Sequence, residues 1–406
     1  MVIQDLFVER KEEMEMKMKI LLINRWSQLE TVGGAERVFF SMANALSERH
    51  EVTALAMTQT GAERPFFDLN KNVKFLHLKN CYEKTKSIKH KIARTFYINR
   101  MRRHRSDQRY EDPIWARIME PVIRQEKPDI IIAYSLDIAR SCLIDLNVSC
   151  PVIIMFHRSA ELILDCLTPE SKKTLEDAAC VQVLMPSDIS AVGKAAACKK
   201  LVCIPNAVRA TGMTSALQNR VIMHVGRFSK SDKRQHILIE AFHLLQKDFP
   251  DWKIEFWGGK QQNPYARECY ELVQKYHLEE RVQFKGTTHE VPEKLAQGAI
   301  FAFPSSEEGM GIALVEAMEV GLPAVGFRSC HAVNEIIQDG RNGILCEDGV
   351  APFAEALRSL MESEALRKEL GKTQKHPSLC MRRRRYGRHG KTSCSRSFKT
   401  FRRVSW

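Results

Sequence analysis

The chain has 406 residues, 44% of them apolar and 27% charged, with a net charge of +13. That length and balance predict a globular protein of two ordinary domains and exclude a fibrous or disordered chain; with no run of about 18 uninterrupted apolar residues, they also argue against a membrane span. The charge does not make nucleic acid an expected partner, because ten lysines and arginines lie in residues 376–406 without a single acid, which leaves the body close to neutral.

Taken in chain order, residues 1–17 read as a peripheral extension. Their charges (Glu9, Arg10, Lys11, Glu12, Glu13) are unlike a secretory signal, so a cytoplasmic location is expected. Lys19-Ile-Leu-Leu-Ile-Asn24 predicts a buried strand, and Gly33-Gly34 then precedes Val38, Phe39, Met42, Ala45 and Leu46, whose spacing of three and four marks one face of a helix. Between Lys84 and Arg109, ten lysines and arginines face one acid, Asp107, and Ile88, Ile92 and Phe96 recur every four residues. That pattern fits an amphipathic helix on the anionic inner face of a membrane, giving peripheral attachment, and fits equally a helix packed on its own domain. Apolar runs at Val52 to Met57, Ile130 to Ala133, Val152 to Phe156, Val181 to Met185 and Leu201 to Ile204 give residues 18–206 the α/β alternation of a parallel sheet.

Pro205-Asn206 leads into a polar stretch, and residues 207–372 begin a second α/β series. Its strands are expected at Val221 to Val225, Lys253 to Trp257, Val282 to Phe284, Ile300 to Phe303, Pro323 to Gly326 and Gly343 to Leu345, with helices at Ile237 to Leu245, Ala266 to Tyr276 and Ile312 to Met318. Two Rossmann-like domains result, with parallel sheets facing across a cleft. Residues 373–406 form a basic tail without apolar period, including Met381-Arg-Arg-Arg-Arg-Tyr386; the abrupt change of composition favours an out-of-frame ending over a nucleic-acid or membrane arm. The twelve cysteines include no Cys-x-x-Cys pair and read as mostly buried thiols.

The densest chemistry is Ser305-Ser306-Glu307-Glu308-Gly309-Met310-Gly311-Ile312-Ala313-Leu314-Val315-Glu316, directly after the strand Ile300 to Phe303. The two glycines let backbone approach a ligand, and the unpaired N–H groups of a helix start suit a diphosphate. Glu308 in the loop and Glu316, about two turns into the helix, would touch different parts of one ligand. In isolation the same residues also fit a surface loop capping an ordinary helix. A second constellation, Val221-Ile-Met-His-Val-Gly-Arg-Phe228 followed by Lys233, sets two cations, Arg227 and Lys233, in a loop after a strand, where they could neutralise a departing diphosphate. His157 ends the strand Val152 to Phe156. No Asp-x-Asp and no ligand-spaced His, Asp or Glu cluster is present, so no metal is expected.

Together these segments resemble the glycosyltransferases of family 4. Glu308 and Glu316 match that family's Glu-x7-Glu signature, Arg227 and Lys233 its Val-Gly-Arg loop and following lysine, and Gly33-Gly34-Ala35-Glu36-Arg37 the start of its first helix. His157 matches its histidine beside the reacting sugar, and Pro205-Asn206-Ala207-Val208 its interdomain turn. The resemblance implies a GT-B fold and a retaining, metal-independent hexosyltransferase. The donor would be a nucleotide-diphosphate sugar, UDP favoured, acting as co-substrate with no cofactor. The acceptor would be a glycan or lipid-linked molecule, in surface polysaccharide or glycolipid synthesis. It implies catalytic roles for Glu308, His157, Arg227 and Lys233, with front-face attack. The donor site would comprise Gly33, Gly34, Arg227, Lys233, Glu308, Gly309, Met310, Gly311, Leu314 and Glu316, with Glu308 by the sugar and Glu316 on the ribose hydroxyls. Two departures stand out: Arg158 follows His157 where the family often has aspartate, and Ala207 replaces glycine. The alternatives are another GT-B-fold enzyme, such as a phosphorylase or a sugar-nucleotide epimerase, or a catalytically inactive nucleotide-sugar-binding protein.

Overall fold

The structure, a computed structural model, describes residues 17–25, 33–58, 65–79, 100–259 and 263–372, with the side chains of 57, 58, 79 and 100–110 left aside. Residues 1–16, the Lys84 to Asn99 part of the basic block and the tail 373–406 lie outside the described residues. Residues 100–109, the rest of that block, open the helix Arg100–Glu126.

Seven strands build the first sheet: β1 (Lys19–Asn24), β2 (Glu51–Thr58), β3 (Val73–Lys79), β4 (Ile130–Ala133), β5 (Val152–Met155), β6 (Cys180–Val183) and β7 (Leu201–Cys203). They run parallel in the order β3-β2-β1-β4-β5-β6-β7. Both faces are covered, which is why Ile20 to Ile23 of β1 form an uninterrupted apolar run. Its Ile20 and Leu22 pack with Phe39 and Phe40 of helix α1 (Gly34–Leu46), while Leu21 and Ile23 pack with Trp115 and Met119 of helix α2 (Arg100–Glu126). β3 was not expected from the sequence. Among the described residues it is an edge strand, and Val73-Lys-Phe-Leu-His-Leu-Lys79 mixes polar and apolar residues because one side meets no further described strand.

The second sheet has six parallel strands: β8 (Val221–Val225), β9 (Lys253–Trp257), β10 (Val282–Gly286), β11 (Ile300–Phe303), β12 (Ala324–Phe327) and β13 (Gly343–Cys346), ordered β10-β9-β8-β11-β12-β13. Ile222, Phe256, Ile300 and Phe327 face Leu238 and Phe242 of one helix (Gln235–Leu245) and Phe353 and Leu357 of another (Val350–Glu362). On the opposite face, Met223, Phe301 and Phe303 pack on the helix Ile312–Glu319. Leu184 and Met185 from the first half join that same cluster, together with Val208 just past the interdomain turn, so the two halves share apolar contact.

Each sheet reverses its strand order once, at β1/β4 and at β8/β11. Crevices at such reversals, beyond the carboxyl ends of the strands, are where open parallel sheets receive ligands. The loops that follow β4, β5, β8 and β11 carry Tyr134, His157, Arg227 and Glu308.

Candidate functional site

The loop after β8 is held from beneath by a buried polar splint. His224, fully buried in β8, bonds the Ala302 carbonyl of β11 through Nδ1 (2.9 Å), while Gln235 reaches His224 Nε2 (3.2 Å) and donates to the Arg227 carbonyl (2.9 Å). Burial pushes the His224 imidazole down to about 4, with Lys233 adding to the effect against the Ala302 bond. A neutral ring with its proton on Nδ1 satisfies both neighbours.

Above the splint, Arg227 pairs with Asp232 and Lys233 pairs with Glu308. Burial pushes the Asp232 carboxyl up, but the Ser229 hydroxyl and the charges of Arg227 and Lys233 outweigh it and hold the group below the usual range. The main chain of the same loop grips its neighbour: Ser306 donates through N to the Asp232 carbonyl and through Oγ to the Ser231 carbonyl, both at 2.9 Å. Two loops from adjacent strands thus form one unit. Arg227 is 59% accessible and Lys230, paired with Glu268, 67%, whereas Lys233 and Glu308 are 15% and 8% accessible.

The helix that follows (Ile312–Glu319) begins at Gly311, whose φ of 75° is left-handed and which brings no capping side chain. Its first N–H groups therefore lack intrahelical partners. Glu316 is the fifth residue of this helix, little more than one turn in rather than two, because the helix begins at Ile312 and not within the glycine loop. Leu314 and Met310 are buried in the apolar cluster beneath the loop, and Asn206 of the interdomain turn donates its N–H to Met310 Sδ (3.1 Å).

Across the cleft, a Cβ on Gly34 would lie 3.1 Å from Ile312 Cδ1, so the start of α1 abuts the start of the Ile312–Glu319 helix. Gly33 caps α1 without a side-chain bond. Arg37, one turn into α1, pairs with Glu316. His157 is stacked on Tyr134 (centroids 4.5 Å apart, 13° between planes), and neither of its ring nitrogens has a hydrogen-bond partner in the structure. Burial alone pushes this imidazole down to about 4. Beneath it lies Gly309, which approaches the His157 carbonyl too closely to admit a Cβ. The structure therefore gathers Gly34, His157, Arg227, Lys233, Glu308, Gly309, Gly311 and Glu316 around one cleft. Asp232, Gln235, Tyr134 and the partnership of Arg37 with Glu316 were not read from the sequence.

Among the described residues, no group of three or more His, Cys, Asp or Glu could hold a metal ion, and no helix is long and apolar enough to cross a membrane.

Residues 214–376 match the family of glycosyl transferases, group 1. The chain is 26% identical over 402 residues to an exopolysaccharide phosphotransferase of Streptomyces coelicolor, covering 87% of this chain and 38% of that protein. It is 23% identical over 322 residues to an uncharacterized glycosyltransferase of Haemophilus influenzae, covering 78% and 83% respectively. Thus it spans well under two thirds of the first relative and most of the second. In three dimensions it is similar to Anabaena HepE in complex with UDP and glucose, with a TM-score of 0.64, 19% identity and coverage of 88% of this chain and 93% of that one. The two-sheet architecture is the GT-B fold.

Proposed function

We propose that this chain transfers a hexosyl unit from a uridine diphosphate sugar to a hydroxyl of a glycan or lipid-linked acceptor, with retention of configuration and without a metal or cofactor. The observation that carries this reading is the meeting of Lys233 and Glu308 at one cleft with Arg227, the uncapped start of the Ile312–Glu319 helix and, from the facing domain, His157. The HepE structure with bound UDP and glucose supports uridine as the base.

In this reading the diphosphate lies over the start of that helix, whose N–H groups and the Arg227 and Lys233 cations take up the negative charge that develops as the bond from the anomeric carbon to phosphate oxygen breaks. Glu308 accepts hydrogen bonds from the sugar while its charge is balanced by Lys233. His157, neutral and unpartnered, bonds a sugar hydroxyl. The acceptor oxygen attacks from the face the phosphate leaves, and its proton passes to the departing phosphate oxygen. Attachment to an anionic membrane through residues 84–109 would bring a lipid-linked acceptor to the cleft.

A thermal-shift screen of UDP- and GDP-sugars, followed by donor hydrolysis and by NMR of the anomeric configuration of the product, tests the reading. Stabilisation by a UDP-sugar and an anomer matching the donor are expected. Absence of both binding and turnover across the screen would sink it, and an inverted product would overturn retention.

A further inference from the structure

Several polar contacts cross between the domains, and most belong to the rim. Arg158 and Glu307 stand 3.7 Å apart, His331 and Glu161 2.9 Å apart, and Ser187 meets Glu335; each of these involves at least one exposed group. Pairs of that kind contribute little. Arg37 and Glu316 differ, because Glu316 is 4% accessible and Arg37 31%. A buried carboxylate has lost most of its water, and burial pushes Glu316 upward while the Arg37 charge and hydrogen bond oppose the shift.

The geometry of the pair follows from the two helix starts. Gly34 opens α1 and faces Ile312, which opens the helix bearing Glu316. Arg37 is three residues beyond Gly34 and Glu316 four beyond Ile312, so each lies one turn on and both fall on the facing sides. The Arg37 guanidinium engages Glu316 Oε1 through one nitrogen. The second carboxylate oxygen is not taken by this contact.

We infer that Arg37 is a positioning residue for nucleotide recognition: it holds Glu316 through Oε1, so that Oε2 is aimed at the ribose diol of a nucleoside diphosphate only when α1 is docked against the Ile312–Glu319 helix. The inference rests on the reading of Glu316 as the ribose ligand. Its consequence is that donor affinity is coupled to closure of the domains, since the facing domain supplies the group that orients the ribose contact. The neutral hydroxyls of a ribose are weaker partners for a carboxylate than a guanidinium, so the nucleotide joins the pair rather than displacing it.

The test is calorimetric titration of the full chain with UDP and with 2′,3′-dideoxy-UDP. Unaltered protein is expected to prefer UDP by about tenfold or more. In Arg37→Ala, UDP binding is expected to weaken by about tenfold or more, to the level of the dideoxy compound, whose own affinity changes little. Arg37→Lys should restore part of the preference, which a merely structural role would not produce in a diol-dependent way. Should Arg37→Ala unfold, Arg37→Gln supplies the same comparison. A preserved preference in a folded variant overturns the inference. So does tighter UDP binding, which would mean that Arg37 competes with the ribose. If the unaltered protein binds UDP but does not distinguish the two nucleotides, the assignment of Glu316 falls first and this inference with it; if it binds no nucleotide, the donor class itself is wrong.

Discussion

Gly309 and His157 come from different domains and touch through backbone: a Cβ on Gly309 would lie 2.6 Å from the His157 carbonyl oxygen and 3.2 Å from the Arg158 Cα. No real side chain fits there without moving one domain from the other. The glycine that a phosphate-cradle reading assigns to the ligand is thus also required by the facing strand end. Gly309→Ala is expected to lower kcat/KM by about a hundredfold, as for a small misplacement of a reacting group, while the thermal midpoint stays within a few degrees because the contact lies between the cores. Steady-state kinetics with a thermal melt checks this. Near-native kcat/KM would show that the closed approach is not needed for turnover.

The Lys233–Glu308 and Arg227–Asp232 pairs lead to separable outcomes for the two loops. Glu308→Ala removes the carboxylate nearest the proposed sugar position and leaves the exposed Arg227 cation in place. Transfer should fall by about a hundredfold or more, with UDP binding partly retained. Arg227→Ala should weaken both binding and turnover. Titration with UDP beside initial rates distinguishes them, and a Glu308→Ala enzyme with near wild-type turnover would remove the role given to that residue.

Acid stability follows from His224 and His157, both pushed down to about 4 from an ordinary value of 6.5. Between those values the unfolded chain binds the proton and the folded chain does not, so stability falls as pH drops through the window. Each histidine contributes a slope on the order of 1.4 kcal/mol per pH unit in mid-window. Asp112, pushed up to about 6 chiefly by burial, works in the opposite sense between about 6 and 3.8, because there the folded state holds the proton. Urea unfolding from pH 7 to pH 4.5 should therefore show a net loss toward acid, smaller in His224→Asn than in the unaltered protein. The comparison cancels Asp112, and parallel curves would show that His224 already titrates normally in the folded state.

Much of this fold was legible because parallel strands covered on both faces are apolar runs. Ile130 to Ala133 and Ile300 to Phe303 announce themselves for that reason. β3 was missed because an edge strand carries mixed residues. The position of Glu316 along its helix was misjudged because Gly311 starts the helix late by adopting a left-handed conformation, which a glycine permits without advertising it. Motif residues in one loop could be found from spacing alone. The groups that hold them could not: Asp232 is an ordinary loop acid until Ser306 folds onto it, and the partnership of Arg37 with Glu316 spans 279 positions.

Asp232 supplies the last prediction. Its carboxylate pairs with Arg227 and accepts the Ser229 hydroxyl, while its carbonyl accepts the Ser306 N–H from the loop after β11. The side chain thus restrains the cation proposed to meet the diphosphate, and the backbone ties the two loops whatever the side chain. Asp232→Asn keeps the shape and the backbone bond but removes the charge that orients Arg227. The donor KM should rise several-fold, about the effect of one lost charge-assisted hydrogen bond, with kcat changed less, because Lys233 and Glu308 remain paired. A second substitution separates restraint from competition: in Arg227→Ala, replacing Asp232 by Asn should have little further effect on KM, since there is no longer a cation to orient. Initial rates across donor concentrations for the two single variants and the double variant measure that coupling. A lower KM in Asp232→Asn would mean that Asp232 withholds Arg227 from the diphosphate rather than aiming it, and fully additive effects would mean that the two residues act on the donor independently.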